Sequence, residues 1–152
     1  EPGKIGILIG NPRFRCQEMN EAGFRSYMRE VAQGFTLLEP QPTFESAAVA
    51  QDIVERLLAE HPDLKGLYVS GGGIRGAAVA LRASGRAAEI VTVSYDLLEA
   101  LIDGTITLMI AHPLDRLATS LISGMIGASQ KRGASANWTT VLPFNIFTCE
   151  NV

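Results

Sequence analysis

Short apolar runs alternate with amphipathic helical stretches along this chain, and that rhythm leaves few folds open to it. Residues 4–9 (Lys-Ile-Gly-Ile-Leu-Ile) form a β-branched run closed by the turn signal Gly10-Asn11-Pro12. A strand without polar alternation predicts burial on both faces, as in a parallel sheet. Residues 17–31 then follow helical spacing, with Phe24, Tyr27, Met28 and Val31 at i, i+3, i+4 and i+7, the pattern of one buried stripe. Further strands are expected over 35–38, 66–70, 90–95 and 105–111, the first of them stopped by Glu39-Pro40-Gln41-Pro42. Helices are expected over 46–61, 74–84 (ended by Gly85) and 113–129, with a short piece at 97–102. Residues 130–137 read as a polar loop and 139–148 as a last extended segment.

Strands alternating with helices of this length build right-handed βαβ units, so the expected fold class is α/β: a Rossmann-like, mostly parallel sheet with helices on both faces. In such sheets ligands sit outside the carboxyl ends of the strands. That rule collects Asn11, Arg13, Arg15, Gln41, Ser70, Gly71, Gly72, Gly73, Asp96 and His112 into one candidate site. Arginines, an aspartate and small polar groups suit a sugar or polyol, whose hydroxyls both donate and accept hydrogen bonds.

Composition narrows the function. Thirteen basic against sixteen acidic residues give a net charge of -3, which does not suit a surface that neutralises many phosphates. Aromatic residues at 7% are too few for a platform of stacked bases. No apolar run reaches the about 20 residues of a membrane span, and Glu1-Pro2-Gly3-Lys4 does not read as a signal peptide. Two cysteines, Cys16 and Cys149, provide neither a disulfide framework nor metal spacing, and a reducing compartment is expected.

Gly71, Gly73 and Gly76 satisfy the dinucleotide spacing G-x-G-x-x-G, and Asp96 follows at the distance of a ribose-binding acid. The motif, however, follows the third strand rather than the first. The plainer reading is a tight turn whose glycines let a ligand or a neighbouring loop pass close by. Arg13 and Arg15 read equally as a clamp on ligand or as a solvated pair, and Asp96 as a cleft aspartate or an N-cap. His61 reads as a helix C-terminal cap. No catalytic constellation and no metal-ligand set is found, so binding without chemistry, cofactor or metal is expected.

Several stretches resemble the ligand-binding region of the LacI/GalR family of sugar-responsive transcription regulators: Ala22-Gly23-Phe24, Pro62-Asp63-Leu64-Lys65-Gly66-Leu67-Tyr68, Gly76 with Ala80-Leu81 and Ser84-Gly85, Val91-Thr92-Val93-Ser94-Tyr95-Asp96, and Phe147-Thr148-Cys149-Glu150-Asn151-Val152. The likeness runs through nearly the whole chain. It implies one lobe of a two-lobed, periplasmic-binding-protein-like domain spanning 1–152, with 113–138 a crossover helix and linker belonging to a second lobe. It also implies that Asp96 grips sugar hydroxyls, that Asn20 stands where relatives carry an effector-binding arginine for which Arg13 or Arg15 substitutes, and that Ser70 and Gly71 stand where relatives often place Asn-Asp. His112 matches a polar position, often glutamine, that touches ligand. The stretch from Asp96 to Gly104 is a few residues shorter than the family pattern.

The expectation that follows is a cytoplasmic, allosteric sugar-sensing region that meets DNA only through a segment absent from this sequence. Its helix 113–129, with the apolar line Leu114, Leu117, Leu121 and Met125, is expected to pair copies of the chain into a dimer or higher assembly. A periplasmic sugar-binding transport receptor is the alternative, and a nucleotide-binding enzyme domain a more distant one.

Overall fold

The computed structural model describes residues 2–130 and 139–152, so the loop expected over 130–137 lies outside them from residue 131 onward. Six strands and five helices fall close to their expected places: β1 (Lys4–Ile9), α1 (Arg15–Val31), β2 (Thr36–Leu37), α2 (Ala47–Glu60), β4 (Leu64–Val69), α3 (Ile74–Ser84), β5 (Val91–Ser94), a short α4 (Leu98–Ile102), β6 (Leu108–Ala111), a long α5 (Leu114–Gln130) and β7 (Asn145–Phe147). The one strand not expected is the two-residue β3 (Gln41–Pro42).

The strands form a sheet in the order β2-β1-β4-β5-β6-β7, with β3 also on β1. Every pairing is parallel except that of β7, which runs antiparallel to β6. The α/β class with a mostly parallel sheet is therefore what this sequence folds into. β3 occupies residues read from sequence as a stop. Pro42 is tolerated because the pairing is two residues long and ends there, so the missing N–H costs the ladder little. Strand β6 starts at Leu108 rather than 105, and only 145–147 of the last extended segment pair with the sheet.

The main core lies on one face, where Leu8, Leu67 and Val69 meet Ala50, Val54 and Leu57 of α2 and Ala77, Ala78 and Leu81 of α3. Gly76 lets α2 and α3 touch, since a methyl group there would overlap the Ala47 carbonyl. Ser46 caps α2 through its hydroxyl, which accepts from Val49 N–H, and Gly85 ends α3 in the left-handed conformation at φ 70°. His61 is the C-cap of α2, as expected, its own N–H bonded to the Leu57 carbonyl.

The opposite face is covered only in part. The stripe expected to be buried on α1 is not: Phe24 and Met28 are half-buried, while Tyr27 and Val31 are exposed. The one buried residue of α1 is Gln17. The reason is topological, because α1 connects β1 to its neighbour β2 and no described helix lies beside it over β4 and β5. Helix α5 is likewise uncovered, from Leu114 at 70% exposure to Met125 at 64%. Among the described residues no helix is long and apolar enough to cross a membrane.

Candidate functional site

Three turns meet where the first strands end. Asn11 turns the chain after β1: its side-chain oxygen accepts from Arg13 N–H at 2.9 Å, and its own N–H donates to Gln17 Oε1 at 2.7 Å. Gln17 is buried because it lies on the inward side of α1, seven residues before Phe24. Its amide nitrogen reaches across to donate to Glu45 Oε1 at 2.9 Å. The Glu45 carboxylate lies against the backbone of both Gly10 and Gly72, and a methyl group on either would overlap it. Thr43 adds a buried bond from its hydroxyl to the Gly72 carbonyl at 2.7 Å.

This knot explains the glycines. A side chain on Gly71 would collide with the amide nitrogen of Gly10, and one on Gly72 with Glu45. Gly73 takes φ 93° as the N-cap of α3. The turn reading of the G-x-G-x-x-G spacing thus has a physical cause, and the carboxylate at the mouth of the turn opposes a pyrophosphate there by charge. Phe44 and Glu45 are both held at positive φ, 52° and 62°, an arrangement that costs of order 1–3 kcal/mol per residue. It leaves the Phe44 ring 63% exposed at the edge of the site.

At the end of β5, Asp96 is exposed, and one of its oxygens accepts from Leu97 N–H at 2.7 Å. Tyr95 stands beside it. Burial first, then the charges of Glu45, Asp96 and Cys16, raise the Tyr95 phenol above its ordinary value. The loop carboxylate and the strand-end carboxylate therefore act on one neighbourhood. His112 is exposed at the end of β6, next to the buried Pro113.

The structure brings Asn11, Arg13, Ser70, Gly71, Asp96 and His112 to one edge of the sheet. Arg13 and Arg15 are exposed and make no ion pair among the described residues. Asn20 is exposed on α1, one turn beyond Gln17. Ser70 and Gly71 lie behind the knot, and the Ser70 hydroxyl is buried with no hydrogen-bond partner among the described residues. Sequence reasoning missed Gln17, Phe44, Glu45 and Tyr95. Only Gln17 left a signal, as a polar residue on the inward side of an amphipathic helix. A cavity of about 210 Å³ opens beside the first turns of α1, lined by Ile9, Asn11, Gln17, Glu18 and Pro40 among others. Among the described residues no group of three or more His, Cys, Asp and Glu side chains could hold a metal ion.

Hydrogen-bonding groups and an exposed aromatic residue thus stand at the carboxyl edge of a mostly parallel sheet, the place where ligands sit in open α/β folds. The chain belongs to the family of the periplasmic binding protein domain, whose model matches residues 1–123. It is 30% identical over 99 residues to the D-ribose/D-allose-binding protein of Pseudomonas aeruginosa, a stretch covering 64% of this chain and 30% of that protein. Its fold matches an ABC transporter solute-binding protein from Agrobacterium vitis bound with α-D-tagatopyranose, with TM-score 0.84, 25% identity, and coverage of 99% of this chain and 51% of the other. It also matches a periplasmic solute-binding protein from Actinobacillus succinogenes with bound D-allose, with TM-score 0.80, 17% identity, and coverage of 99% and 53%. The chain thus spans about a third of that curated relative and about half of those solved structures.

These relatives correct two expectations. They are sugar- and solute-binding proteins, the Agrobacterium one of an ABC transporter, which overturns the reading as a LacI/GalR-type transcription regulator, and none of them supports the expected DNA partner. They also overturn the cytoplasmic assignment, since the family and the Actinobacillus protein are described as periplasmic. The reducing compartment rested on cysteine scarcity, and two exposed, unpaired cysteines do not require one. The family is one of binding proteins, in keeping with binding rather than catalysis.

Proposed function

We propose that this chain is one lobe of a sugar-binding receptor of the ABC-transporter type, acting outside the cytoplasm, and that it holds a neutral sugar at the carboxyl edge of its sheet. The observation that carries this reading is that an exposed aromatic residue, Phe44, and the exposed carboxylates of Glu45 and Asp96 follow strands β3 and β5 at the carboxyl edge of the sheet. A sugar offers an apolar C–H face to the ring and hydroxyl donors to the carboxylates. Arg13, Arg15, Asn11, Asn20 and His112 supply donors around them, while Ser70 and Gly71 act from behind through the backbone. A relative named for D-ribose and D-allose binding and a similar structure bound with α-D-tagatopyranose support the substrate class. Helix α5 and residues up to 138 belong, in this reading, to a second lobe that closes on the ligand.

One lobe provides only half of such a site, so the 152-residue chain should bind weakly. D-ribose, D-allose or D-tagatose at millimolar concentration should raise its thermal midpoint, and Asp96→Asn or Phe44→Ala should abolish the rise. Calorimetry giving a micromolar or tighter sugar affinity for the chain alone would contradict the one-lobe reading. A rise with NADH and none with any sugar would overturn the sugar assignment.

A further inference from the structure

The buried residue of α1 is polar, and its two bonds fix which way round its amide lies. Gln17 Oε1 accepts from Asn11 N–H at 2.7 Å, so the amide nitrogen is the end that faces Glu45, to which it donates at 2.9 Å. A side chain that joins a backbone N–H to a carboxylate needs an acceptor and a donor on one planar group. Glutamine has both at this reach, glutamate lacks the donor, and asparagine is one carbon shorter. Among the described residues Gln17 is the one side chain bonded to Glu45. The loop around Glu45 is pinned at both ends: the Thr43 hydroxyl donates to the Gly72 carbonyl, and the Ser46 N–H to the Thr43 carbonyl at 3.0 Å. Between these ties lie the two positive-φ residues, Phe44 and Glu45.

We propose that Gln17 is a positioning residue of the sugar site, holding the Glu45 carboxylate, and Phe44 beside it, in the arrangement that meets the ligand. The inference rests on the sugar-binding reading above. An exposed glutamate samples several rotamers and loses that freedom when a ligand takes hold of it. Here Oε1 is already tied to Gln17, and the carboxylate lies against the Gly10 and Gly72 backbones. Oε2 accepts no hydrogen bond among the described residues and is left for a hydroxyl donor. The charge of Glu45 reaches Tyr95, the neighbour of Asp96, so the gripped carboxylate and the strand-end carboxylate act on one edge. Gln17 thus makes its contribution before the ligand arrives, as preorganisation.

A knot that only closes the glycine turn and one that also aims Glu45 differ in what a carboxyl group at position 17 does. It keeps the acceptor for Asn11 N–H and loses only the donor to Glu45. Two carboxylates then face each other and repel, unless a proton is shared between them as pH falls toward the carboxyl range. Glu45 swings away at neutral pH and returns on acidification, and the ligand's acceptor goes and comes back with it.

Chemical-shift titrations of the 152-residue chain with D-ribose, D-allose and D-tagatose test it. Gln17→Glu should weaken binding about tenfold at pH 7 and recover most of that loss, relative to the unaltered chain, at about pH 5. Cys16, Glu18, Tyr95, Asp96 and His112 are common to both proteins, so the ratio of their affinities cancels what those groups do with pH. Gln17→Met, with neither donor nor charge, should lose affinity by a similar factor at both pH values. On a Glu45→Gln background neither substitution at position 17 should cost more than about a further twofold, because Gln17 acts through Glu45. Circular dichroism checks each fold, and should Gln17→Glu unfold at pH 7, Gln17→Met and its double variant carry the test. Unchanged affinity in Gln17→Met, a Gln17→Glu loss constant with pH, or losses that multiply in the double variants each overturn the positioning role while leaving the sugar reading intact. An unaltered chain that responds to none of the three sugars overturns the sugar reading and this inference with it.

Discussion

Gly71 and Gly85 show how far one residue's environment decides its worth. Gly85 stands at φ 70° with open space where a side chain would go, so alanine meets only the left-handed penalty of about 1 kcal/mol. Gly71 has no room at all, because the Gly10 backbone fills it. Gly71→Ala should therefore lower the unfolding free energy by about 3 kcal/mol in urea titrations, and Gly85→Ala by about a third of that. Equal losses would mean that the approach of β1 and β4 at their ends is not what requires the glycine. Tyr95 is the residue to read by pH. Its raised pKa means that the fold prefers the neutral phenol, so the contribution is complete below the ordinary value of 10.0 and is lost as pH rises toward the folded value. Stability should fall above about pH 10, Tyr95→Phe should flatten that fall, and Glu45→Gln should move the tyrosinate absorbance change to lower pH. Asn11, Asp96 and His112 were legible in the sequence as strand-end residues, since alternation alone locates strand ends. Phe44 and Glu45 were not, because their placement depends on two positive-φ residues and on three loops meeting, and neither leaves a periodic trace.

At the level of elements, legibility followed local packing. Helix α3 has buried residues at 74, 77, 78 and 81 against α2, and the spacing that announced it is the spacing that packs. Helix α1 has an equally regular stripe, but periodicity reports only that a helix has an apolar side and not that a partner is present. Half of that stripe faces solvent because the sheet beside it is bare. The short stretch after Asp96 was visible in sequence, and the structure shows how the chain crosses it: Leu97 turns at φ 84° with its side chain buried, and α4 runs for only five residues. Arg82 then ties the end of α4 to α3 through Asp103 at 2.6 Å and Thr105 at 3.0 Å. The Thr105 hydroxyl, ahead of Arg82, holds the Asp103 carboxyl below its ordinary value.

For the whole molecule, the decisive contrast lies between the buried α2–α3 face and the uncovered α5. An isolated helix of 17 residues is near the length at which helices become marginal in water, and α5 includes Thr119, Ser120, Ser123, Gly124 and Gly127, all weaker helix formers than alanine. Its stability must come from whatever covers Leu114 through Met125. Hydrogen exchange on the dilute, monomeric chain should leave α5 amides within about tenfold of free-peptide rates, while α2, α3 and β4 carry the highest protection. Protection of α5 equal to that of α3 would mean that the helix already has its cover within this chain.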